Sequence, residues 1–262
     1  MSIIIASFNE AKSLPNLLTS IRAQTHKDIE VIVVEGSTNV EIREIADHYG
    51  AKLVHDEWNN IGYSRNLGTT VASGDLFFFT NADCTMDDPR LLEKVTRKFQ
   101  ENPKLVCCGG ITKEICDSEM TQIIYNTQHV LRRLFSLLPY PAKRYRPTAN
   151  FIVTKATDFK RMGGFPEVYV NEDGVFGEKL EKYAWKSGLQ LEYALELRVA
   201  HPTRRFDKLG PLGGLRHYLY VLPNFMYVPP RLVPLLGRAL NAIGQHGERS
   251  FRVRESEIPC KP

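Results

Sequence analysis

The strongest constraint on the fold is a regular alternation of strand and helix patterns over the first hundred residues. Short apolar runs rich in β-branched residues alternate with segments whose apolar residues recur at helical spacing. The pattern predicts strands over residues 2–8, 29–34, 51–55 and 76–80, and helices over residues 14–21, 40–49, 61–72 and 89–100. This order predicts an α/β fold with a mostly parallel sheet flanked by helices.

The second half of the chain is less regular. Its pattern predicts a long helix over 118–138, a short strand over 151–153, a helix over 172–187 and a strand over 190–200. After His201 the chain becomes rich in Gly, Pro, aromatic and basic residues. We therefore predict one α/β domain over residues 1–206 and a helical or irregular C-terminal extension over residues 207–262.

Composition excludes several classes of protein. The 262 residues are 43% hydrophobic and 24% charged, as in globular proteins, and the net charge of +4 is too small to indicate nucleic-acid binding. The five cysteines form no CxxC pair, so we expect buried thiols and no zinc site. No secretory signal opens the chain, and no apolar run approaches the roughly 20 residues of a membrane span. These features predict a cytoplasmic location.

Polar side chains follow the first two predicted strands. Ligands of parallel α/β sheets bind at the carboxyl ends of the strands, which selects these turns for inspection. Ser7 and Phe8 end the first strand, Glu10 follows it, and Glu35 follows the second. These groups are placed to contact a nucleobase and ribose, although capping of the next helices is the structural alternative.

The fourth predicted strand ends in Asn81, Ala82 and Asp83. A carboxylate at the end of a buried strand is costly to desolvate without a partner, and a divalent cation that bridges Asp83 to a diphosphate would supply one. The alternative is an Asp that caps a helix or a turn. His201 ends the last predicted strand and is a second candidate ligand, against the alternative of a structural histidine.

Two later motifs carry further candidates. Arg65 lies between Gly62 and Gly68, which permit close helix packing, and its guanidinium is suited to a base or phosphate; the alternative is a surface arginine. Glu172 and Asp173 precede a helix whose dipole favours carboxylates there. A carboxylate at this position also suits a general base, which accepts the proton of an acceptor hydroxyl as the hydroxyl attacks an anomeric carbon.

Taken together, these segments resemble family 2 glycosyltransferases of the GT-A (Rossmann-like) fold. Five motifs of that family occur in order within residues 2–206, at residues 3–10, 24–34, 62–68, 74–83 and 163–173. The resemblance implies that residues 1–206 form the nucleotide-sugar-binding and catalytic domain. It also implies an inverting transfer from a nucleotide-diphospho-sugar donor, a UDP- or GDP-sugar, to an acceptor hydroxyl or phosphate.

The resemblance also implies a role for each candidate residue. The donor would contact Ser7, Phe8, Glu10, Glu35, Arg65, Asn81, Ala82, Asp83, Arg204 and Arg205. Asp83 and His201 would bind Mg²⁺ or Mn²⁺, which neutralises the leaving diphosphate. Asp173, assisted by Glu172, would be the catalytic base.

The chain departs from the family pattern in three places. A single Glu35 stands where two acids are usual, Asn81 replaces the first Asp of the DXD motif, and the Q-x-x-R-W signature of processive relatives is absent. The last departure predicts a non-processive enzyme. The Asn81 change keeps open a non-catalytic nucleotide-sugar-binding protein. A sugar nucleotidyltransferase is disfavoured, because the turn at residues 7–10 is neither Gly-rich nor basic.

The C-terminal extension suggests a membrane contact. Residues 209–240 combine aromatic and basic residues with prolines that break any long helix, so we expect short amphipathic pieces at a bilayer interface. Packing on the catalytic domain or on another subunit is the alternative. Lys143, Arg144 and Arg146 would add attraction to anionic head groups. Related enzymes often act on lipid-linked acceptors, so the expected acceptor is a glycan or a polyprenyl-linked lipid on the cytoplasmic face.

Overall fold

The computed structural model describes residues 1–58, 60–115, 119–168 and 172–202. Its strands are β1 (Ser2–Ser7), β2 (Glu30–Glu35), β3 (Lys52–His55), β4 (Leu76–Asn81), β5 (Leu105–Ile115), β6 (Ile152–Lys155) and β7 (Gln190–Pro202). Its helices are α1 (Leu14–Arg22), α2 (Glu41–Tyr49), α3 (Ile61–Thr70), α4 (Leu91–Glu101), α5 (Glu119–Leu137), α6 (Ala156–Met162) and α7 (Glu172–Ser187).

The strands form one mixed sheet in the order β3-β2-β1-β4-β6-β5-β7. Strands β1 to β4 run parallel to one another, β5 runs parallel to β7, and β6 is antiparallel to both of its neighbours. The predicted α/β fold with a mostly parallel sheet is therefore confirmed. Because β1 to β4 are parallel, their carboxyl ends meet at one edge of the sheet.

Most predicted elements occur within two residues of their predicted limits, and two elements were not predicted. Strand β5 contains adjacent cysteines and glycines, which carry no alternating pattern because the strand is buried. Helix α6 has only seven residues, directly after β6, and ends at Gly163, whose φ of 72° allows a left-handed turn. Elements this short and this buried give weak periodic signals.

Both faces of the sheet are covered by apolar side chains. Ile3 and Ile5 face one side with α1 and α4, whereas Ile4 faces the other side with two phenylalanines of β4 and those of α6 and α7. Such two-sided burial explains why the strands of this chain read as continuous apolar runs. The described cysteines, Cys84, Cys107 and Cys108, are buried, as predicted.

The predicted C-terminal extension lies outside the described residues, so the boundary at residue 206 stays a prediction. Within the described ranges, no helix is both long and apolar enough to cross a bilayer.

Helix α3 packs very closely on the sheet through its glycines. A Cβ atom on Gly68 would lie 2.5 Å from Cγ2 of Ile4 and 3.0 Å from Cγ2 of Val34, and one on Gly62 would lie 2.3 Å from the carbonyl oxygen of Pro166. The expectation that these glycines permit close helix packing is therefore confirmed. This close approach brings the next functional residue of the helix, Arg65, into the interior.

We predict that Gly68→Ala destabilises the protein by about 1–3 kcal/mol, because the added methyl group overpacks the contact with Ile4. At an exposed helix position the same change would stabilise by about 1 kcal/mol. Thr70→Ala, at the exposed end of the same helix, is the control and should stay within about 0.5 kcal/mol of the parent. Urea unfolding measures both, and a Gly68→Ala protein as stable as the parent would contradict the packing argument.

Candidate functional site

A cavity of about 280 Å³ opens where the parallel strands end. Strands β1 and β4 and the turns after β2 and β3 all contribute to its wall, as the rule for parallel sheets predicts. The lining residues are Ala6, Ser7, Phe8, Glu10, Gly36, Asp56, Ile61, Ser64, Asn81, Ala82 and Asp83. The structure thus brings together six of the residues that were predicted to contact the donor.

Two of these residues differ sharply in exposure. Phe8 is 61% exposed, so its ring is available to stack against a planar ligand. Ser7 is buried and donates its hydroxyl hydrogen bond to Glu35.

Glu35 lies beneath the cavity and is not part of its lining. Its Oε1 accepts hydrogen bonds from the backbone N–H groups of Asn9 (2.9 Å) and Ser37 (2.8 Å). One buried carboxylate therefore ties together the turns after β1 and β2. It also stabilises Asn9, whose φ of 58° is left-handed. Glu35, the single acid where the family pattern has two, thus holds the turns at the rim of the cavity in position.

Asp56 is a cavity residue that was not identified from the sequence. It follows β3, is almost fully buried, and accepts hydrogen bonds from the backbone N–H of Trp58 (2.7 Å) and the hydroxyl of Ser64. The signal was available, because the rule that selected the turns after the first, second and fourth strands applies equally to the third.

Arg65 is fully buried and does not line the cavity. Its Nη1 donates to Oε1 of Glu172 at 2.8 Å, and its Nη2 donates to Oδ1 of Asn81 at 3.2 Å and to the carbonyl oxygen of Ala149 at 3.1 Å. The guanidinium also lies 5.0 Å from the centre of the Phe165 ring. The alternative of a surface arginine is wrong, and the side chain instead connects α3, β4 and α7.

Asn81 uses both ends of its amide. Its Oδ1 accepts from Arg65, and its Nδ2 donates to Oδ1 of Asn150 at 2.7 Å. The amide that stands where the family pattern has an acid thus takes part in a hydrogen-bond network with Arg65 of α3 and with Asn150, just before β6.

Asp83 and His201 lie next to each other. Oδ2 of Asp83 is 3.2 Å from Nε2 of His201, and both side chains are partly exposed. An isolated antiparallel bridge brings them together, in which Thr85 and Ala200 exchange backbone hydrogen bonds of 2.9 and 2.8 Å. A carboxylate oxygen and an imidazole nitrogen are both ligands for Mn²⁺-type cations, so the pair fits the predicted metal.

The described residues hold no group of three or more His, Cys, Asp or Glu side chains that would enclose a metal alone. Mg²⁺ characteristically combines one or two protein ligands with phosphate oxygens and water. The Asp83–His201 pair therefore fits a metal shared with a phosphate-bearing ligand better than a metal held by the protein alone.

Asp173 lies in the first turn of α7 beside Glu172. It is partly buried, and its Oδ1 accepts from the backbone N–H of Gly174 at 2.8 Å. Burial raises the pKa of Asp173, and the adjacent Glu172 carboxylate raises it further, whereas the charges of Arg132 and Arg65 oppose the shift. Asp173 is thus a stronger base than an ordinary Asp. Arg132, on α5, was not identified as a site residue from the sequence.

Two predicted donor contacts, Arg204 and Arg205, lie outside the described residues.

The family model described as Glycosyl transferase family 2 matches residues 2–158. An uncharacterized glycosyltransferase of Haemophilus influenzae is 32% identical over 108 residues, which cover 40% of this chain and 36% of that protein. Glycosyltransferase AglE of Haloferax volcanii is 29% identical over 225 residues, which cover 80% of this chain and 69% of AglE. For seven curated relatives, among them the Haemophilus protein just described, the match covers less than half of the relative's own length.

Among solved structures, the mannosyltransferase PcManGT from Pyrobaculum calidifontis, in complex with GDP-Man and Mn²⁺, is similar to this chain with a TM-score of 0.62. The two share 17% sequence identity, and the match covers 91% of this chain and 68% of PcManGT. At this identity the likeness establishes the fold, which is the GT-A fold.

We predict that Arg65→Met lowers the free energy of unfolding by about 3 kcal/mol or more, because it leaves the buried Glu172 carboxylate without its charge partner. Arg161→Met is the matched control, since Arg161 is exposed and lies 3.9 Å from Asp158. Removal of this exposed arginine should cost less than about 1 kcal/mol, because Asp158 keeps the hydrogen bond from the hydroxyl of Tyr183. Equal denaturation midpoints for the two variants would contradict a structural role for Arg65.

Proposed function

This chain belongs to glycosyl transferase family 2, and we propose that it transfers a sugar from a nucleotide-diphospho-sugar donor to an acceptor hydroxyl or phosphate. The observation that carries the proposal is the cavity at the ends of β1 to β4, with the Asp83–His201 pair beside it. Incubation of the purified chain with labelled UDP- and GDP-sugars, followed by detection of sugar transfer or donor hydrolysis, is the direct test.

The donor is proposed to lie across the carboxyl ends of the strands. The exposed ring of Phe8 stacks on the base, while Glu10 and the buried carboxylate of Asp56 accept hydrogen bonds from base or ribose. The GDP-Man in PcManGT supports a nucleotide-diphospho-sugar in this fold, and the present proposal includes both UDP- and GDP-sugars.

Asp83 and His201 are proposed to hold Mg²⁺ or Mn²⁺ together with the diphosphate. The Mn²⁺ in PcManGT supports this assignment. When bound, the cation neutralises the negative charge that develops on the leaving nucleoside diphosphate. Contacts of Arg204 or Arg205 with the same diphosphate remain part of the proposal.

Asp173 is proposed to act as the base of an inverting displacement. Its Oδ1 is held by the N–H of Gly174, so Oδ2 is the atom that accepts the proton of the acceptor hydroxyl. Glu172 is paired with Arg65 and acts on Asp173 through its charge, which makes Asp173 more basic. Arg65 is accordingly assigned as a positioning residue, although the sequence suggested a donor contact.

The two alternatives lose support for different reasons. A non-catalytic binding protein was suggested by the amide of Asn81, but this amide has a structural use in its contacts with Arg65 and Asn150. A sugar nucleotidyltransferase is disfavoured by the match to the glycosyltransferase family model.

The acceptor is proposed to be a glycan or a polyprenyl-linked lipid, used without processive polymer synthesis on the cytoplasmic side of a membrane. The segment over residues 209–240, which suggested membrane contact from the sequence, lies outside the described residues.

We predict that Asp83→Ala abolishes transfer and removes the additional stabilisation that Mn²⁺ gives to the donor complex. Saturation at ~100 times Kd stabilises a protein by about 2.7 kcal/mol, which thermal unfolding resolves. The control is Asp87→Ala, an exposed carboxylate on the same loop. Full activity of Asp83→Ala in EDTA would refute the metal assignment.

We predict that Asp173→Asn lowers the rate of transfer by roughly 100-fold or more, because the amide does not accept a proton at neutral pH. Donor-induced stabilisation should remain, and Glu178→Gln on the exposed side of the same helix should transfer at the parent rate. The product should have the inverted anomeric configuration, and an NMR coupling constant that shows retention would rule out this mechanism.

The raised pKa of Asp173 also sets the pH dependence. The base must be ionised, so activity falls as the pH drops through its pKa, and the acidic limb of kcat/KM should lie above the ordinary Asp value of 3.8. Because Arg132 opposes the shift, Arg132→Gln should move this limb to higher pH. An acidic limb at the same pH in Arg132→Gln and in the parent would contradict the proposed effect of the Arg132 charge on Asp173.

A further inference from the structure

Helix α5 exposes an apolar face. Ile123, Val130, Leu134 and Leu137 are each close to half exposed or more, and their spacing places them on one side of the helix. A buried side of the helix is fixed to the protein by His129, whose ring nitrogens bind the hydroxyl of Tyr193 and the carbonyl oxygen of Thr112, both at 2.8 Å. We call the four exposed residues the α5 face.

Two exposed aromatic residues extend the α5 face. Tyr140, just beyond the C-terminus of α5, stacks on Trp185 of α7 with ring centres 4.6 Å apart and an angle of 20° between the rings. Trp185 is 58% exposed. Tyrosine and tryptophan are the residues that concentrate at the boundary between the lipid and aqueous phases, since each has an apolar ring and a polar group.

Basic side chains surround these aromatic residues. Lys143 and Arg144 follow Tyr140 and bind backbone carbonyl oxygens of Ser136 (2.6 Å) and Pro141 (2.8 Å), which are neutral acceptors that leave their positive charge in place. Lys182 and Lys186 are exposed on the turns of α7 on either side of Trp185. The edge of the apolar surface is therefore positively charged.

Arg146 does not belong to this basic surface, and the sequence-based expectation for it was wrong. Its side chain is buried and pairs with Glu181 at 2.6 Å and with Glu178 at 3.0 Å. The pairing satisfies the buried carboxylate of Glu181 and also engages the exposed carboxylate of Glu178. Lys182 and Lys186 stay exposed beside Trp185.

We propose that the α5 face, together with Tyr140 and Trp185, docks on the surface of an anionic lipid bilayer. The apolar side chains enter the boundary between head groups and acyl chains, and the surrounding lysines and arginines bind lipid phosphates. An anionic bilayer is favoured over a second copy of the chain, because contact between two such faces would bring their positively charged side chains together. Docking is independent of sugar transfer, so either proposal can fail without the other.

The two tryptophans of the chain permit a matched test in the full-length protein. Trp58→Phe leaves Trp185 as the only tryptophan, and Trp185→Phe leaves Trp58, which is similarly exposed at 51%. With vesicles of phosphatidylcholine and phosphatidylglycerol, Trp185 emission should shift to the blue and be quenched by brominated acyl chains. Trp58 emission should not respond, and neither should respond to phosphatidylcholine alone.

Flotation with the same vesicles tests the two components of the surface separately. Leu134→Glu with Leu137→Glu should abolish flotation, while Val40→Glu, at a 75% exposed position just before α2, should leave it unchanged. Lys182→Glu with Lys186→Glu should lower partitioning by at least about 25-fold, since each basic residue near an anionic surface contributes roughly fivefold.

Three results would overturn the proposal. The first is failure of the intact protein to float with anionic vesicles at low salt. The second is flotation of Leu134→Glu with Leu137→Glu to the same extent as the parent. The third is a loss of thermal stability in that double variant, or dissociation of an oligomer in light scattering, which would assign the face to packing within the chain or between copies. Donor-induced stabilisation, measured on each variant, keeps a failure of docking distinct from a failure of donor binding.

Discussion

The buried guanidinium of Arg65 is the interaction on which the rest of the site depends. A buried cation is costly without acceptors, and the two terminal nitrogens of this one donate to three acceptors from distant parts of the chain, at Asn81, Ala149 and Glu172. The end of β4 and the start of α7 are thereby held at fixed positions. Because Glu172 is engaged in this pair, the two adjacent carboxylates are not equivalent, which is why the proposed base is Asp173.

The proposed metal site depends on a different long-range contact. Asp83 follows β4 and His201 lies near the end of β7, and the two strands are separated in the sheet by β5 and β6. The backbone exchange between Thr85 and Ala200 closes that gap and sets the 3.2 Å approach of the two side chains. A site of one carboxylate and one imidazole leaves most coordination positions to phosphate and water, so donor and metal should bind together.

The parts of this structure that were predictable from the sequence are those with a local cause. Short apolar runs predicted β1 to β4, and the shared edge of parallel strands predicted that Phe8, Glu10 and Asp83 would meet. The role of Arg65 was not predictable in this way, because burial of an arginine on a helix depends on how closely α3 approaches the sheet. The flanking glycines indicate that approach only once the packing partners Ile4 and Pro166 are known.

Helix α5 shows the same limit and links the two proposals. Its periodicity predicted a helix, but apolar residues at helical spacing do not reveal whether they face a core or an external surface. The structure assigns His129 to the inner side and Leu134 to the outer side. Arg132, on the same helix, lowers the pKa of Asp173 through its positive charge. It also donates a hydrogen bond to the carbonyl oxygen of Arg146 at 2.6 Å. Helix α5 thus carries both the proposed docking face and a charge that influences the proposed base. Such an arrangement suits an acceptor group anchored at the lipid surface.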